Sequence, residues 1–353
     1  MKTGGGHFNY GVFMIWKSPG LELNDVGFLM STDEIIQIAW AQYRIWEPFS
    51  IFRNFSVNFN QWRAWDFGGV KNVDGGNINL RTQFKNYWSV STGFNLQSQR
   101  ITNSLLRGGP SMKMPGSFNN YISIRSDNRK KLSLNLMMSN RWGRYNSSES
   151  NTYSLQATYK PIETLSISLR PNYNINRTEM QYVTKQYFND EERYILAGIN
   201  QKDMGMSLRL NLSLTPNLTI QYWGQPFIAA GKYSNFKRIT SNLADDYTDR
   251  FHTFSGDEIT CYNDYDYYAI DEDLDSTEDY FWEDPDFNVK EFRSNLVARW
   301  EYVPGSTVFL VWSQSRDVFD PTGDFSLNSS VGDLFDITPY NVFLVKFSYR
   351  FGL

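Results

Sequence analysis

Long apolar runs are the first thing missing from this sequence of 353 residues. A helix needs about 20 mostly apolar residues to cross a bilayer. The best runs here, Gly11 to Trp16 and Val308 to Trp312, are far shorter, so transmembrane helices are excluded. Cysteine is nearly absent. Cys261 stands alone, cannot form an intrachain disulfide, and leaves the redox compartment open. His7 and His252 are the only histidines, too few for a His-rich metal site. Net basicity is missing too. The 34 Lys+Arg against 38 Asp+Glu give a formal net charge of −4, which excludes a nucleic-acid binder working through a basic surface. No secretory signal is read at Met1-Lys2-Thr3, so an exported protein would carry it upstream.

Catalytic signatures are missing as well. There is no G-x-S-x-G, no G-x-x-x-x-G-K-S/T, no C-x-x-C and no H-E-x-x-H. Gly4-Gly5-Gly6 leads into a strand pattern rather than a helix, so it is no phosphate loop. The expectation is that the chain is not an enzyme. A membrane-embedded hydrolase built on His7 or His252 ranks last among the readings.

Aromatics, by contrast, are abundant: 26 Phe, 22 Tyr and 11 Trp. Yet the mean hydropathy is −0.49. Period-two alternation reconciles the two. Leu132, Leu134, Leu136 and Met138 alternate with Ser133, Asn135, Met137 and Ser139. Leu208, Leu210, Leu212 and Leu214 alternate with Ser207, Arg209, Asn211 and Ser213. Phe343, Val345, Phe347, Tyr349 and Phe351 share one parity near the C-terminus.

Turn chemistry at Glu47-Pro48, Asn86-Tyr87, Asp127-Asn128-Arg129, Pro161-Ile162-Glu163, Thr215-Pro216-Asn217 and Pro304-Gly305-Ser306 marks short breaks. Longer connections alternate with them: 18–32, 67–75, 104–116, 143–149, 188–191, 229–289 and 317–339. Fourteen strands are predicted: 7–17, 33–46, 51–66, 76–86, 88–103, 117–126, 130–142, 150–160, 164–187, 192–214, 217–228, 290–303, 306–316 and 340–351.

One end of such a meander carries the short turns and the other the long loops, as in outer-membrane barrels. Both chain ends then fall on the short-turn side. A soluble sandwich would also alternate. Three features favour the barrel. Several predicted strands far exceed the usual five or six residues. Aromatics gather near strand ends (Trp40, Tyr43, Trp46; Trp62, Trp65; Trp300, Tyr302) as interfacial girdles do. Closure also removes the edge-strand hazard of a large sheet. The expected fold is all-β: one domain over 1–353, an antiparallel up-and-down transmembrane β-barrel of about 14 strands, or a fragment of a larger one.

Charge is unevenly spread. Residues 229–289 hold 16 Asp+Glu and 4 Lys+Arg, a local −12 that leaves the remainder at +8. Arg81, Arg125, Arg170, Arg209, Arg299 and Arg350 fall on the polar parity of predicted strands. A charge facing lipid costs about 2–4 kcal/mol near the midplane, so these arginines are expected to face the lumen. They form either an anion-favouring or sugar-binding interior, or a merely soluble lining whose arginines pair with acids on neighbouring strands.

Within the acidic loop, Asp271, Asp273 and Asp275 alternate. Carboxylates so spaced can converge on a hard cation such as Ca2+. Ser276 and Trp282 stand where an EF-hand has Gly and Glu, so this is no EF-hand. The other reading is a solvated external loop. Its tyrosines and Trp282 argue that it packs somewhere, such as the barrel mouth.

Several segments are distinctive together: Asp284-Pro285-Asp286-Phe287-Asn288, Phe292-Arg293-Ser294-Asn295-Leu296-Val297 and Arg299-Trp300-Glu301-Tyr302-Val303-Pro304-Gly305-Ser306-Thr307. Others are Tyr222-Trp223-Gly224-Gln225-Pro226-Phe227, the ending from Asn341 to Phe351, Thr3-Gly4-Gly5-Gly6-His7, Ser18-Pro19-Gly20 and Asn24-Asp25-Val26-Gly27-Phe28. As a set they resemble the C-terminal barrel region, a domain of unknown function, of Bacteroidota-type outer-membrane proteins. Those proteins carry an upstream module similar to family-9 carbohydrate-binding modules. The resemblance implies an outer-membrane barrel, a link to glycans, and further strands upstream. It carries no catalytic residues. Such relatives often read Asp-x-Asp-x-Asp-Gly in the acidic loop, and Ser276 departs from that.

The expected function is binding or passage of a polar solute such as a glycan at the cell outer membrane. The alternative is a structural scaffold whose acidic loop docks other envelope proteins. Outer-membrane lipid and the barrel-assembly machinery are the implied partners, with no nucleic acid.

Overall fold

The computed structural model describes residues 2–3, 6–25, 27, 29, 32–262 and 266–351. Gly4, Gly5, Val26 and Phe28 of the segments quoted above lie outside them. All fourteen expected strands are present. They are β1 (Phe8–Lys17), β2 (Glu34–Ile45), β3 (Phe52–Trp65), β4 (Lys71–Phe84), β5 (Ser89–Gln97), β6 (Ser117–Arg125) and β7 (Leu132–Gly143). There follow β8 (Ser148–Ile162), β9 (Leu165–Phe188), β10 (Glu191–Thr215), β11 (Leu218–Ile239), β12 (Phe287–Val303), β13 (Ser306–Asp320) and β14 (Tyr340–Ser348). Each pairs antiparallel with its neighbours in sequence, forming one all-β meander.

The register aligns one apolar parity across the sheet. One row runs Tyr43–Val57–Leu80–Thr92–Ile122–Met138–Tyr153–Tyr173–Met204–Ile228. Another runs Tyr159–Ile167–Leu210–Tyr222–Leu296–Trp312–Phe343. The opposite parity gives Gln42–Asn58–Asn79–Gly93–Tyr121–Ser139–Thr152–Asn174–Asp203. Alternate side chains of a strand point to opposite faces, so the sheet has one apolar and one polar face. The apolar face is uncovered over most of its extent: Phe59, Phe94, Leu136, Leu155 and Phe343 are all exposed.

The expected closure into a barrel is absent. Among the described residues no ladder joins β1 to β14. The outer edge of β1 is taken at Tyr10 and Gly11 by a two-residue strand, Lys2–Thr3. That is where β14 would have to pair. β14 is exposed at all nine positions. Alternation and turn chemistry specify neighbours, and they say nothing about how the first and last strands meet.

Other boundaries shift for local reasons. β4 begins at Lys71 instead of 76, because the stretch from Lys71 to Gly75 is strand rather than loop. A Cβ on Gly75 would lie 2.6 Å from the Trp62 ring, so glycine lets that ring lie against the strand. The acidic connection is shorter than expected, 240–286, since β11 runs through Ala229-Ala230-Gly231 to Ile239. The 188–191 connection is a two-residue turn, with Asn189 at φ 51° and Asp190 at φ 61°. Such left-handed pairs suit tight hairpins. The stretch 100–102 pairs with 112–114 in a small ladder of its own rather than extending β5. Inside the last long connection lies a helix, α1 (Leu327–Asp336), that alternation did not reveal.

The core sits where β9, β10 and β11, at 24, 25 and 22 residues, outrun the sheet. The β10 tip from Tyr194 to Ile199 is buried at every position. Leu106 and Met112 of the 98–116 connection pack with Met180, Tyr194 and Leu196. Phe254, Ile270, Tyr280 and Trp282 of the acidic connection pack with Ile195, Ala197 and Phe236. Three short strands, Ile259–Tyr262, Tyr267–Ile270 and Tyr280–Glu283, form a small sheet of their own there.

Candidate functional site

Two regions concentrate polar chemistry: the polar face of the sheet and the cap built on the tips of β9–β11. On the polar face, Arg81 of β4 stands opposite Ser91 of β5, which stands opposite Ser123 of β6. One step along, Gln83, Ser89 and Arg125 align in the same way. Arg170 donates to Ser154 Oγ at 3.4 Å. Arg209 lies between Ser168 and Trp223 in the ladders. Arg299 pairs with Glu301 of its own strand at 2.9 Å. Arg350 lies past the end of β14, its side chain filling the space beside Gly305, whose φ is +82°. Among the described residues, Arg299 alone of these six pairs with an acid. Cross-strand pairing to carboxylates therefore does not describe these six, although it does join Lys17 to Glu34 and Arg293 to Asp317 on neighbouring strands.

The ladder is held by amides and hydroxyls. Gln42 donates to Asn58, Asn60 to Asn77 at 2.6 Å, and Thr158 to Ser168 at 3.2 Å. Tyr121 lies flat over Gly93, where a Cβ would meet its ring at 2.6 Å, and its hydroxyl donates to Asn79 at 3.2 Å.

In the cap, Asp271, Asp273 and Asp275 are brought together. One carboxylate oxygen from each lies within 4.8 Å of the others. The turn itself gathers them. The Asp275 N–H donates to Asp271 at 3.1 Å and to Asp273 at 3.3 Å, and the Ser276 N–H donates to Asp271 at 2.8 Å. Leu274 and Ser276 take left-handed backbones at φ 61° and 74°. Burial, with Asp273 and Asp271 adding repulsion, pushes the Asp279 carboxyl above its ordinary value. Donors on Thr277 hold Asp275 below its own.

Glu272 points the other way. Its side chain is 6% exposed and receives Arg193 at 3.0 Å and Arg238 at 3.4 Å. The Tyr280 hydroxyl donates to it at 2.6 Å. This cluster ties the acidic connection to β10 and β11. Arg250 is fully buried. Its guanidinium donates to the carbonyls of Ala244 at 2.8 Å, Asp245 at 2.8 Å and Lys113 at 3.0 Å, joining the two long connections. Neither residue was singled out by sequence. In an alternating acidic run, the carboxylate between the chosen ones is the one that faces inward.

The histidines are engaged locally. His7 Nδ1 lies 2.8 Å from the Arg44 carbonyl. His252 Nε2 lies 2.8 Å from Glu258, which also accepts from the Ser255 N–H at 2.8 Å. Burial raises the Glu258 carboxyl, but the donors on Ser255 and His252 outweigh it and leave it below its ordinary value.

A search of curated proteins finds no match to the chain. A family model does match, and it covers residues 1–351, nearly the whole chain, strands and cap together. The chain therefore belongs to the family described as Domain of unknown function (DUF5916).

Proposed function

We propose that the chain forms the wall of an outer-membrane β-barrel whose polar face lines a wet interior that binds or passes a polar solute. One observation carries this reading: the apolar parity stays in register from strand to strand and is uncovered. Its residues include Phe59 (53% exposed), Phe94 (48%) and Phe343 (75%). Exposed apolar patches on soluble monomers rarely exceed a few hundred Å². A face running across all fourteen strands is far larger, and hydrocarbon is the solvent that suits it. The edge of β14, and the edge of the sheet beyond β1, are then satisfied by further strands of a larger barrel. The Lys2–Thr3 strand, antiparallel to β1, supports that direction of growth.

The cap supports an extracellular lid. Ile195 and Ala197 share the parity of Ser207 and Arg209 on β10, so the small sheet packs on the polar side of the strand tips. A glycan is the solute favoured by the resemblance to Bacteroidota-type barrels with an upstream family-9-like carbohydrate-binding module. Insertion by the barrel-assembly machinery and no catalysis complete the reading.

The test is reconstitution of the full-length protein in liposomes, with sugar swelling and conductance measured. An inserted barrel that passes no sugar and binds none overturns the solute reading. Failure to insert overturns the membrane reading.

The Asp271, Asp273 and Asp275 turn is proposed to take Ca2+. Calcium should then slow proteolysis of residues 267–283 in the wild type and not in Asp273→Asn. Equal proteolysis with and without calcium removes the proposal.

A second reading, a scaffold barrel that docks other envelope proteins through the cap, is favoured by Phe281 and Leu274, apolar yet 61% and 58% exposed. Pull-down with and without 240–286 decides it. Unchanged partners count against it.

A further inference from the structure

The polar face carries a concavity of about 540 Å³ near the short-turn end of β3–β7. Arg81, Arg125, Ser89, Ser91, Ser123 and Tyr121 line it, together with amides and Met137, and no carboxylate contributes to it. The register fixes its layout. Arg81 and Arg125 stand diagonally across β5, two strands apart and two residues along. With about 4.8 Å between strands and about 3.4 Å per residue, their Cα atoms are roughly 12 Å apart. Two arginines so placed can reach one group lying over Ser89 and Ser91.

Both guanidinium groups are uncommitted. Among the described residues neither has an ion pair or a side-chain hydrogen bond, and both residues are exposed. The hydroxyls of Ser89 and Ser91 likewise make no hydrogen bond among the described residues. The nearest acid in sequence, Asp127, is taken by Arg129, which donates to it at 2.9 and 2.8 Å. Among the described residues nothing therefore neutralises the pair.

We propose that Arg81 and Arg125, with the hydroxyls of Ser89 and Ser91, form a binding site for a tetrahedral oxyanion, a phosphate or sulfate group carried by the polar solute. Guanidinium groups grip such oxyanions through two parallel N–H donors, and hydroxyls satisfy the remaining oxygens. The site rests on the reading of the polar face as a wet interior and names the solute's charge. It also separates this wall from the others, because Arg170 is engaged with Ser154 and Arg299 with Glu301.

The experiment is calorimetric titration of the full chain, in detergent micelles, with inorganic phosphate and separately with inorganic sulfate. The expected result is saturable binding of at least one oxyanion. Arg81→Gln and Arg125→Gln should each weaken it at least tenfold, Arg81→Lys less, and Arg209→Gln not at all. Far-UV circular dichroism of each variant reports folding, and Arg81→Lys keeps the test open should a glutamine variant misfold. No saturable binding to the wild type, or equal binding by the Arg81→Gln/Arg125→Gln double variant, overturns the proposal. Phosphate preferred over sulfate identifies a phosphorylated solute, and the reverse a sulfated one. Liposome insertion is measured in parallel. An inserted barrel without oxyanion binding defeats this site alone, whereas failure to insert defeats the membrane reading beneath it.

Discussion

At Glu272 one buried carboxylate answers Arg193, Arg238 and the Tyr280 hydroxyl. Removing one partner of a buried ion pair costs roughly 3–5 kcal/mol, because the other charges are left buried and unpaired. Glu272→Gln is therefore expected to lower the opening free energy of the cap by roughly that amount. Amide hydrogen exchange at 267–270 and 280–283 reads it, and unchanged protection there would show that the apolar cluster alone holds the cap. Glu258 makes the neighbouring segment pH-sensitive. Its carboxyl is held below the ordinary 4.5 in the folded cap. A depressed carboxylate contributes stability above its unfolded value and loses it as the pH falls through the folded one. Protection factors across 252–258 should fall below pH 4.5 in the wild type. Glu258→Gln should flatten that dependence.

At the scale of the strand, the two faces predict opposite tolerance. Leu136→Arg puts a charge on the apolar face and should cost about 2–4 kcal/mol in a bilayer. Ser139→Arg, three residues along β7 on the polar face, should cost under about 1 kcal/mol, because a charge on a wet face keeps its hydration. Urea titration of folding into lipid vesicles measures both, and equal costs would argue against a lipid-facing side. Strands were the most legible feature of the sequence, because period-two alternation and Pro, Asn and Gly turns are both local signals. The residues that misled are those whose role depends on a distant partner. Asp74 and Gly75 look like a turn until Trp62 is laid against Gly75. Ala229-Ala230-Gly231 looks like a loop until β10 pairs with it. Leu327 to Asp336 is too short a helix for its period to stand out among Ser, Asn and Asp. In the candidate site, the arginine positions were legible from parity. Which of them lacked acids was not, because that depends on what stands opposite in the register.

Across the whole molecule, a meander of neighbours is also joined by a long-range seam. The 98–116 and 240–286 connections meet through Arg250, Asn242 and the Lys113–Asp245 pair at 2.5 Å. Replacing 240–286 with a short turn should leave the strands protected from protease in vesicles while 98–116 becomes cleavable. Continued resistance of 98–116 would mean that Leu106 and Met112 suffice on their own.

The same seam bears on the order of folding. Consecutive strands close loops of a few residues, which cost little chain entropy. Contacts such as Asn242 with Ser111 and Arg250 with Lys113 span 131 and 137 residues. They can form only once the six intervening strands, β6–β11, have brought the β10 tip beside both connections. The sheet should therefore assemble before its cap, and the polar side of the β9–β11 tips stays open to solvent until the last event of folding.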